Sequence, residues 1–484
     1  MMNEHALSSP RRIDSRRKPL LVALSAALLA GCATFSPDSG LGSVSDLTRA
    51  RTGQPVAAEK SAEDVAATEQ RVRQLLGKPL TPDSAVQIAL LNNKSLQASL
   101  AGLGIAEADL VQAGRLRNPG FSFSRTRGAE TEIERGVMFD IAGLLTMPTR
   151  IKIERSRFEQ AKLAAAAEAV RLASDTRKAY FEALAAVQTA KYMEQVVTAA
   201  DAGAQLAQKQ ADVGNWSKLD QTREQLFYAD ATTRLARARH NATARREQLT
   251  RLLGLWGEDA GFTLAERLPD LPKAPQAMGK LEAQAMEQRL DVLMAKRNTE
   301  ATASSLGLSK ASGVINAFDA GYANKSVSGQ PRENGYQIAL ELPLFDWGAA
   351  RSAKAEAIYM QSVHQTADIA IRARSEVREA YSAYRTTYDI ARHYSNDVVP
   401  MRKKISEEVL LRYNGMLASV FELLADAREQ VASVSAAIEA QRDFWIAETQ
   451  LQAAVNGNGS GSGSGGVSGP AGAQPAGLAS ATTD

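Results

Sequence analysis

One cysteine, Cys32, occurs in 484 residues. No intrachain disulfide can form, and cysteine-based zinc or redox motifs are excluded. The histidines His5, His240, His364 and His393 are scattered and offer no metal-ligand spacing. No Ser/His/Asp set, metal cluster or phosphate-binding loop stands at workable spacing, so enzymatic chemistry has no foothold. A dominant charge is also missing. The 57 basic and 54 acidic residues leave +3, which points to neither nucleic acid nor an acidic partner. The eleven methionines form no Met-x-x-Met-like cluster that would argue for copper or silver.

The most informative scarcity is local. From about Pro148 to Val213 there is no further proline and a single glycine, Gly203. At the α-helical rise such a stretch makes a rod of roughly 100 Å, far longer than an ordinary globular helix. A second rod of the same size, Trp347 to Tyr413, follows, and Pro400 marks a kink in it. Between Phe158 and Ala190, 12 of 33 residues are alanine, which favours helix and lets backbones approach closely. A clean leucine heptad is missing, which argues against a lone solvated coiled coil.

The chain repeats itself. Arg150 and Arg351, Arg177 and Arg378, Tyr180 and Tyr381, and Gly214 and Gly415 are each 201 apart. Upstream, 89–96 resembles 285–292. Beyond the glycines, Arg223-Glu224-Gln225 returns as Arg428-Glu429-Gln430, now 205 apart, which implies about four extra residues in the second copy. This is an internal tandem duplication. The expected division is a first repeat at 78–267, a Pro-rich linker at 268–277, and a second repeat at 278–455.

Each repeat has one order of elements. A helix comes first (Pro82 to about Arg117, or Met278 to about Leu308), with Thr81 as N-cap and Pro82 at the first helical position. Two short alternating segments follow, then the rod, a glycine break and a returning helix (Ser217 to about Leu253, or Ala418 to about Ala454). Tyr336, Ile338 and Leu340 alternate with Gln337, Ala339 and Glu341; Val137, Phe139 and Ile141 alternate with Gly136, Met138 and Asp140. That period of two predicts strands with one apolar and one wet face. Their partners are Phe121 to Ser124 and Phe318 to Tyr322, joined by polar loops at 127–132 and 324–333. The hairpins thus span about 120–143 and 314–343. Four strands do not close a barrel, so several chains must share one. Two solvent-exposed hairpins in a soluble protein are the alternative.

The N-terminus reads as an address. Arg11, Arg12, Arg16, Arg17 and Lys18 precede the apolar run 20–29, too short for a stop-transfer helix. The run ends in Leu29-Ala30-Gly31-Cys32, which resembles the bacterial lipoprotein signal. By that resemblance residues 1–31 are a signal peptide and Cys32 receives a covalent lipid, palmitate among its acyl chains. Ala33 in place of aspartate favours the outer membrane. Residues 32–77 are polar, with glycines and prolines, and read as an extended tether. From 456 to 484 the chain is Gly/Ser- and then Ala/Pro-rich, which predicts a disordered tail.

Several segments resemble the TolC family of trimeric outer-membrane efflux channels: Asn118-Pro119, Leu342-Pro-Leu-Phe-Asp-Trp-Gly348, Gly214-Asn-Trp-Ser217, Arg412-Tyr-Asn-Gly415 and Glu422-Leu-Leu-Ala-Asp-Ala427. The similarity covers about 80–455, and the lipidated cysteine is closer to the multidrug and cation efflux branches. The resemblance implies a mixed α and β membrane protein. A homotrimer would share a 12-stranded transmembrane β-barrel, four strands per chain, continuous with a long periplasmic α-helical barrel. The apolar strand faces would meet outer-membrane lipid. A periplasmic adaptor (membrane fusion protein) and an inner-membrane pump would be the partners, and the pump would supply the energy. No cofactor beyond the lipid on Cys32, and no nucleic acid, is implied.

Two sites follow from the resemblance. Gly214, Asn215, Trp216 and Ser217, with Tyr413, Asn414, Gly415 and Met416, mark the helix tips where an adaptor would dock, the glycines supplying positive φ. A bare structural turn accounts for the glycines equally well, whereas an exposed Trp216 suits a contact surface. The second site is a periplasmic aperture. Glu422 and Asp426 lie four apart on one helix face, and Asp220 holds the related place in the first repeat. In a trimer each would form a ring of carboxylates favouring cations, with a solvated helix face as the alternative reading. The function expected is the exit duct of a tripartite efflux system for small toxic compounds or metal ions, the Asn414-Gly-Met-Leu wording leaning to the metal branch. A type I protein-secretion duct shares this fold. A structural coiled-coil envelope lipoprotein without a pore is the reading from another class, but a spacer has no use for four half-apolar strands.

Overall fold

The computed structural model describes residues 34–457 apart from 129, 312–317 and 341–346. Cys32, most of the Leu342–Gly348 segment and nearly all of the tail lie outside the described residues.

The stretch expected to be an extended tether instead holds two helices, α1 (Leu41–Thr52) and α2 (Ala62–Leu76). The glycines that suggested a tether sit at the ends of α1, Gly40 before it and Gly53 after it. Ser61 and Asp64 close a capping box at the start of α2, satisfying two amides that the helix leaves open. Val44, Val56 and Val72 are buried in the main core, so burial holds this segment against the body.

The first helix of each repeat is broken, where one continuous helix is expected. Helix α3 (Pro82–Asn92) has the Thr81 cap and Pro82 at its start, as the sequence suggests, but Asn93 leaves the helical conformation before α4 (Lys94–Ala113). In the second repeat Arg289 separates α7 (Leu281–Gln288) from α8 (Leu290–Ala311) in the same way. A long-range contact explains both breaks. Asn93 Nδ2 donates to the Leu252 carbonyl at 3.0 Å, and Arg289 Nη1 to the Ala454 carbonyl at 2.8 Å. Each side chain satisfies a carbonyl that a returning helix leaves open at its C-terminus.

The strands form one antiparallel meander, β1 (Gly120–Arg127), β2 (Thr131–Asp140), β3 (Phe318–Val327) and β4 (Glu333–Leu340). The turns, 128–130 and 328–332, are shorter than the expected loops. Register decides the faces. Phe121 pairs with Val137, Val137 with Tyr322 and Tyr322 with Tyr336, while Phe139 pairs with Ala320 and Ala320 with Ile338. Directly opposed residues share a face, so the apolar residues of both hairpins lie on one side and Ser122, Gly136, Gly321 and Gln337 on the other. Ile141, expected to end the β2 alternation, begins a helix instead because the Asp140 carboxylate caps it, accepting from Gly143 N–H at 2.5 Å.

The first rod, α5 (Ile141–Asp212), runs 72 residues, about 108 Å, with Pro148 in its second turn. It packs along the returning helix α6 (Lys218–Leu253), and alanine dominates its buried positions. The second rod is divided: α9 (Ala349–His393), a π turn at Tyr394–Val398, and α10 (Val399–Asn414), after which α11 (Val420–Asn456) returns. Pro400 stands just beyond the π turn. A π turn is an α-helix holding one inserted residue, and the repeat spacing shows it. Arg177 and Arg378 are 201 apart, whereas the tip serines beyond the π turn, Ser217 and Ser419, are 202 apart. The second rod is also far less covered. No residue of α10 is buried, and Met401, Ile405, Leu410 and Leu411 are exposed.

Candidate functional site: the paired helical tips

The two rods end at the same extremity, in two turns with one hydrogen-bond pattern. In the first, Gly214 N–H donates to the Ala211 carbonyl, and Asn215 and Trp216 N–H donate to the Gln210 carbonyl. In the second, Met416 N–H donates to the Tyr413 carbonyl, and Leu417 and Ala418 N–H donate to the Arg412 carbonyl. Ser217 Oγ then accepts from Asp220 N–H, and Ser419 Oγ from Glu422 N–H, both at 3.2 Å.

This pattern corrects the alignment read from sequence. The equivalent of Gly214 is Met416, not Gly415. Gly214 has φ +77°, as a left-handed cap requires, but Gly415 has φ −80° and Met416 carries the positive φ of 60°. The additional length is one residue, not four, and it is taken up in the π turn. The Arg223 and Arg428 triplets are therefore not equivalent positions.

The tips are tied to each other. Trp216, expected as an exposed contact residue, is half-buried and stacks on Phe421 of the second tip, with 4.7 Å between ring centroids and 21° between planes. Further along, Glu224 of α6 is only 4% exposed, and its carboxylate meets Arg428 Nη2 of α11 at 2.7 Å. The Arg428 guanidinium also lies 4.6 Å from the Phe227 ring centroid. Phe421 has no role in the sequence reading, and Glu224 and Arg428 serve there only as repeat markers. The 202 spacing would have found Glu224, because it sets Glu224 opposite Asp426 as it sets Asp220 opposite Glu422.

The three aperture carboxylates differ in their freedom. Asp220 is occupied locally: it accepts from Ser217 Oγ at 2.6 Å and pairs with Arg223 at 3.4 Å. Asp426 accepts from Ser406 Oγ of α10 at 2.5 Å. Glu422 is exposed. Of the adaptor-contact residues, Asn215 donates to Gln210 Oε1 and Tyr413 is half-buried, while Met416, at 93%, is among the most exposed apolar side chains. Leu417, Val213 and Leu219 extend that exposed apolar tip. Cys32 lies outside the described residues, and among them no cluster of metal-ligating side chains occurs. The tip offers a mechanical joint, two hairpins held by one stacked pair and one buried ion pair, beneath an apolar end.

No protein-family model matches the chain, and no curated protein matches it by sequence. Its fold has clear counterparts. The CmeC outer membrane channel of Campylobacter jejuni superposes with a TM-score of 0.67 at 14% identity, covering 94% of each chain. The outer-membrane channel OprN gives 0.66 at 17% identity, over 83% of this chain and 97% of its own. The MtrE outer membrane channel of Neisseria gonorrhoeae, in its open state, gives 0.65 at 15%, over 80% and 89%. The fold is that of the TolC-type outer-membrane channels.

Proposed function

We propose that three copies of this chain form the exit duct of a tripartite efflux system in the outer membrane of a Gram-negative bacterium. The observation that carries this reading is the sheet. Its edge strands β1 and β4 are exposed along their whole length. On one face an apolar row, Phe121, Val137, Tyr322 and Tyr336, runs from edge to edge, giving way to Arg135, Asn324 and Asn334 towards the turns. An unpaired edge invites another strand. Pairing β4 of one copy with β1 of the next satisfies both edges and yields a closed barrel of twelve strands, apolar outside. No helix among the described residues is long and apolar enough to cross a membrane.

The helices supply the rest of the duct. The bare second rod, with its exposed Met401, Ile405, Leu410 and Leu411, gives neighbouring copies a surface to cover. The apolar tip around Met416 and Leu417 is where a periplasmic adaptor docks, linking the duct to an inner-membrane pump that supplies the energy. Cys32 carries a lipid anchor. The duct itself is passive, and Glu422 as a ring of three biases it towards cations. Small toxic compounds or metal ions are the cargo.

Sedimentation of the detergent-purified chain tests the assembly. The account expects a particle of three processed chains, each lighter than the 51.8 kDa of the full sequence by its signal peptide. A folded particle with the mass of one chain, still a monomer after insertion into lipid, overturns it.

A further inference from the structure

At the foot of the sheet, opposite the hairpin turns, the loop 114–119, the end of β2 and the first turns of α5 enclose an open cleft of about 300 Å³. One wall is apolar, with Leu116, Phe139, Leu144 and Met147. The other carries three guanidiniums, Arg115, Arg117 and Arg150, against a single carboxylate, Asp140. That carboxylate is already committed. It caps Gly143 N–H at 2.5 Å and reaches Arg117 at 3.5 Å. Arg150 gives Nη2 to the Gly143 carbonyl, while its buried Nε has no partner among the described residues. The exposed Arg115 guanidinium forms no ion pair among the described residues. Two guanidiniums therefore keep unused donors beside an apolar wall.

The cleft's position identifies what would use them. Phe139 belongs to the apolar sheet face and is half exposed, and Leu144 and Leu145 continue that surface down the first turn of α5. Apolar surface thus runs from the sheet into the cleft and stops at the arginines. We propose that this cleft binds an anionic glycerophospholipid of the periplasm-facing leaflet. Its phosphate is held by Arg115 and Arg150, and its acyl chains lie along Phe139, Leu144 and Leu145. Guanidiniums match phosphate with paired, charge-assisted hydrogen bonds, and basic pockets at a bilayer boundary select anionic head groups. The inference rests on the outer-membrane reading above. It adds a lipid site that fixes the depth at which the barrel sits.

Native mass spectrometry of the delipidated protein in detergent, titrated with phosphatidylglycerol or phosphatidylethanolamine, tests it. The wild type is expected to retain about one phosphatidylglycerol per chain in preference to phosphatidylethanolamine. The Arg115→Gln, Arg150→Gln variant is expected to bind it about tenfold more weakly, and Arg115→Gln, which disturbs no internal contact, to show part of that loss. Arg239→Gln, on the returning helix α6 and paired there with Glu194, is expected to bind as the wild type does. Equal retention of both lipids, unchanged binding in the variants, or displacement by millimolar inorganic phosphate would overturn the lipid site. The same spectra report the number of chains. A trimer without lipid preference refutes this inference alone, whereas a monomer that binds neither lipid refutes the membrane reading with it.

Discussion

Met416 shows how a single dihedral angle can separate folding from contact. Its φ of 60° costs a non-glycine residue about 1 kcal/mol, yet its side chain is 93% exposed and packs on little. Met416→Gly is therefore expected to slow amide exchange at the second tip and, under the proposed function, to weaken adaptor binding. Gly214→Ala, at φ +77° with open space around it, is expected to loosen the first tip by about 1 kcal/mol. Exchange that changes in the opposite sense at either tip would contradict this. The sequence shows that a turn falls at each site, but not which residue takes the positive φ. That assignment depends on a residue inserted some twenty positions upstream.

Tyr180 makes a second case at this scale. Burial pushes its phenol from 10.0 up to about 12, and its hydroxyl donates to the Leu80 carbonyl at 2.8 Å. The second repeat makes a looser version, Tyr381 to Gln276 at 3.4 Å. Because the folded value lies above the unfolded one, the folded state holds the proton more tightly. This contribution is full below pH 10 and is lost as pH rises towards 12. Urea unfolding of the wild type should lose roughly 1.4 kcal/mol per pH unit in that window from this group. Tyr180→Phe should cost about 1 kcal/mol at neutral pH and remove that part of the alkaline slope. The tyrosine pair was legible in the sequence as a repeat marker, but its carbonyl partners were not, lying about 100 residues away.

At the scale of elements, the rods were readable because proline and glycine are nearly absent from them, and the strands because large apolar residues alternate. The breaks at Asn93 and Arg289 were not read. Each is held by a carbonyl roughly 160 residues distant; Asn93 also caps α4 locally, accepting from Ser95 and Leu96 N–H, a signal the sequence reading passed over. Helices α1 and α2 were missed because the glycines and prolines around α1 suggested a tether, although α2 carries a capping box and an apolar face of its own. The π turn yields a sharp test. Deleting Ser395 from it would remove the inserted residue and turn α10 by about 100° relative to the first tip. Circular dichroism is expected to keep its helix content. Engineered disulfide crosslinking between positions 216 and 421 should fall away, and unchanged crosslinking would show that the π turn does not set the register of the tips.

At the scale of the whole molecule, and under the proposed function, the four-stranded sheet and the two long hairpins answer to different neighbours: lipid and other copies at one end, the opposite tip at the other. The duplication made both hairpins visible in the sequence. The β2–β3 pairing that joins them into one sheet spans about 190 residues and left no local mark. The stacked Trp216–Phe421 pair and the buried Glu224–Arg428 pair hold the two tips together in one chain. Breaking the ion pair leaves a charged group short of its partner, a loss on the order of 2 kcal/mol. Under the proposed function these contacts hold the periplasmic end narrow. Single-channel conductance in a planar bilayer tests this central claim most directly, with the wild type beside a Glu224→Gln, Phe421→Ala variant. The account predicts small, cation-selective wild-type currents and severalfold larger currents in the variant. A variant that is folded and trimeric but conducts no better than the wild type would contradict it.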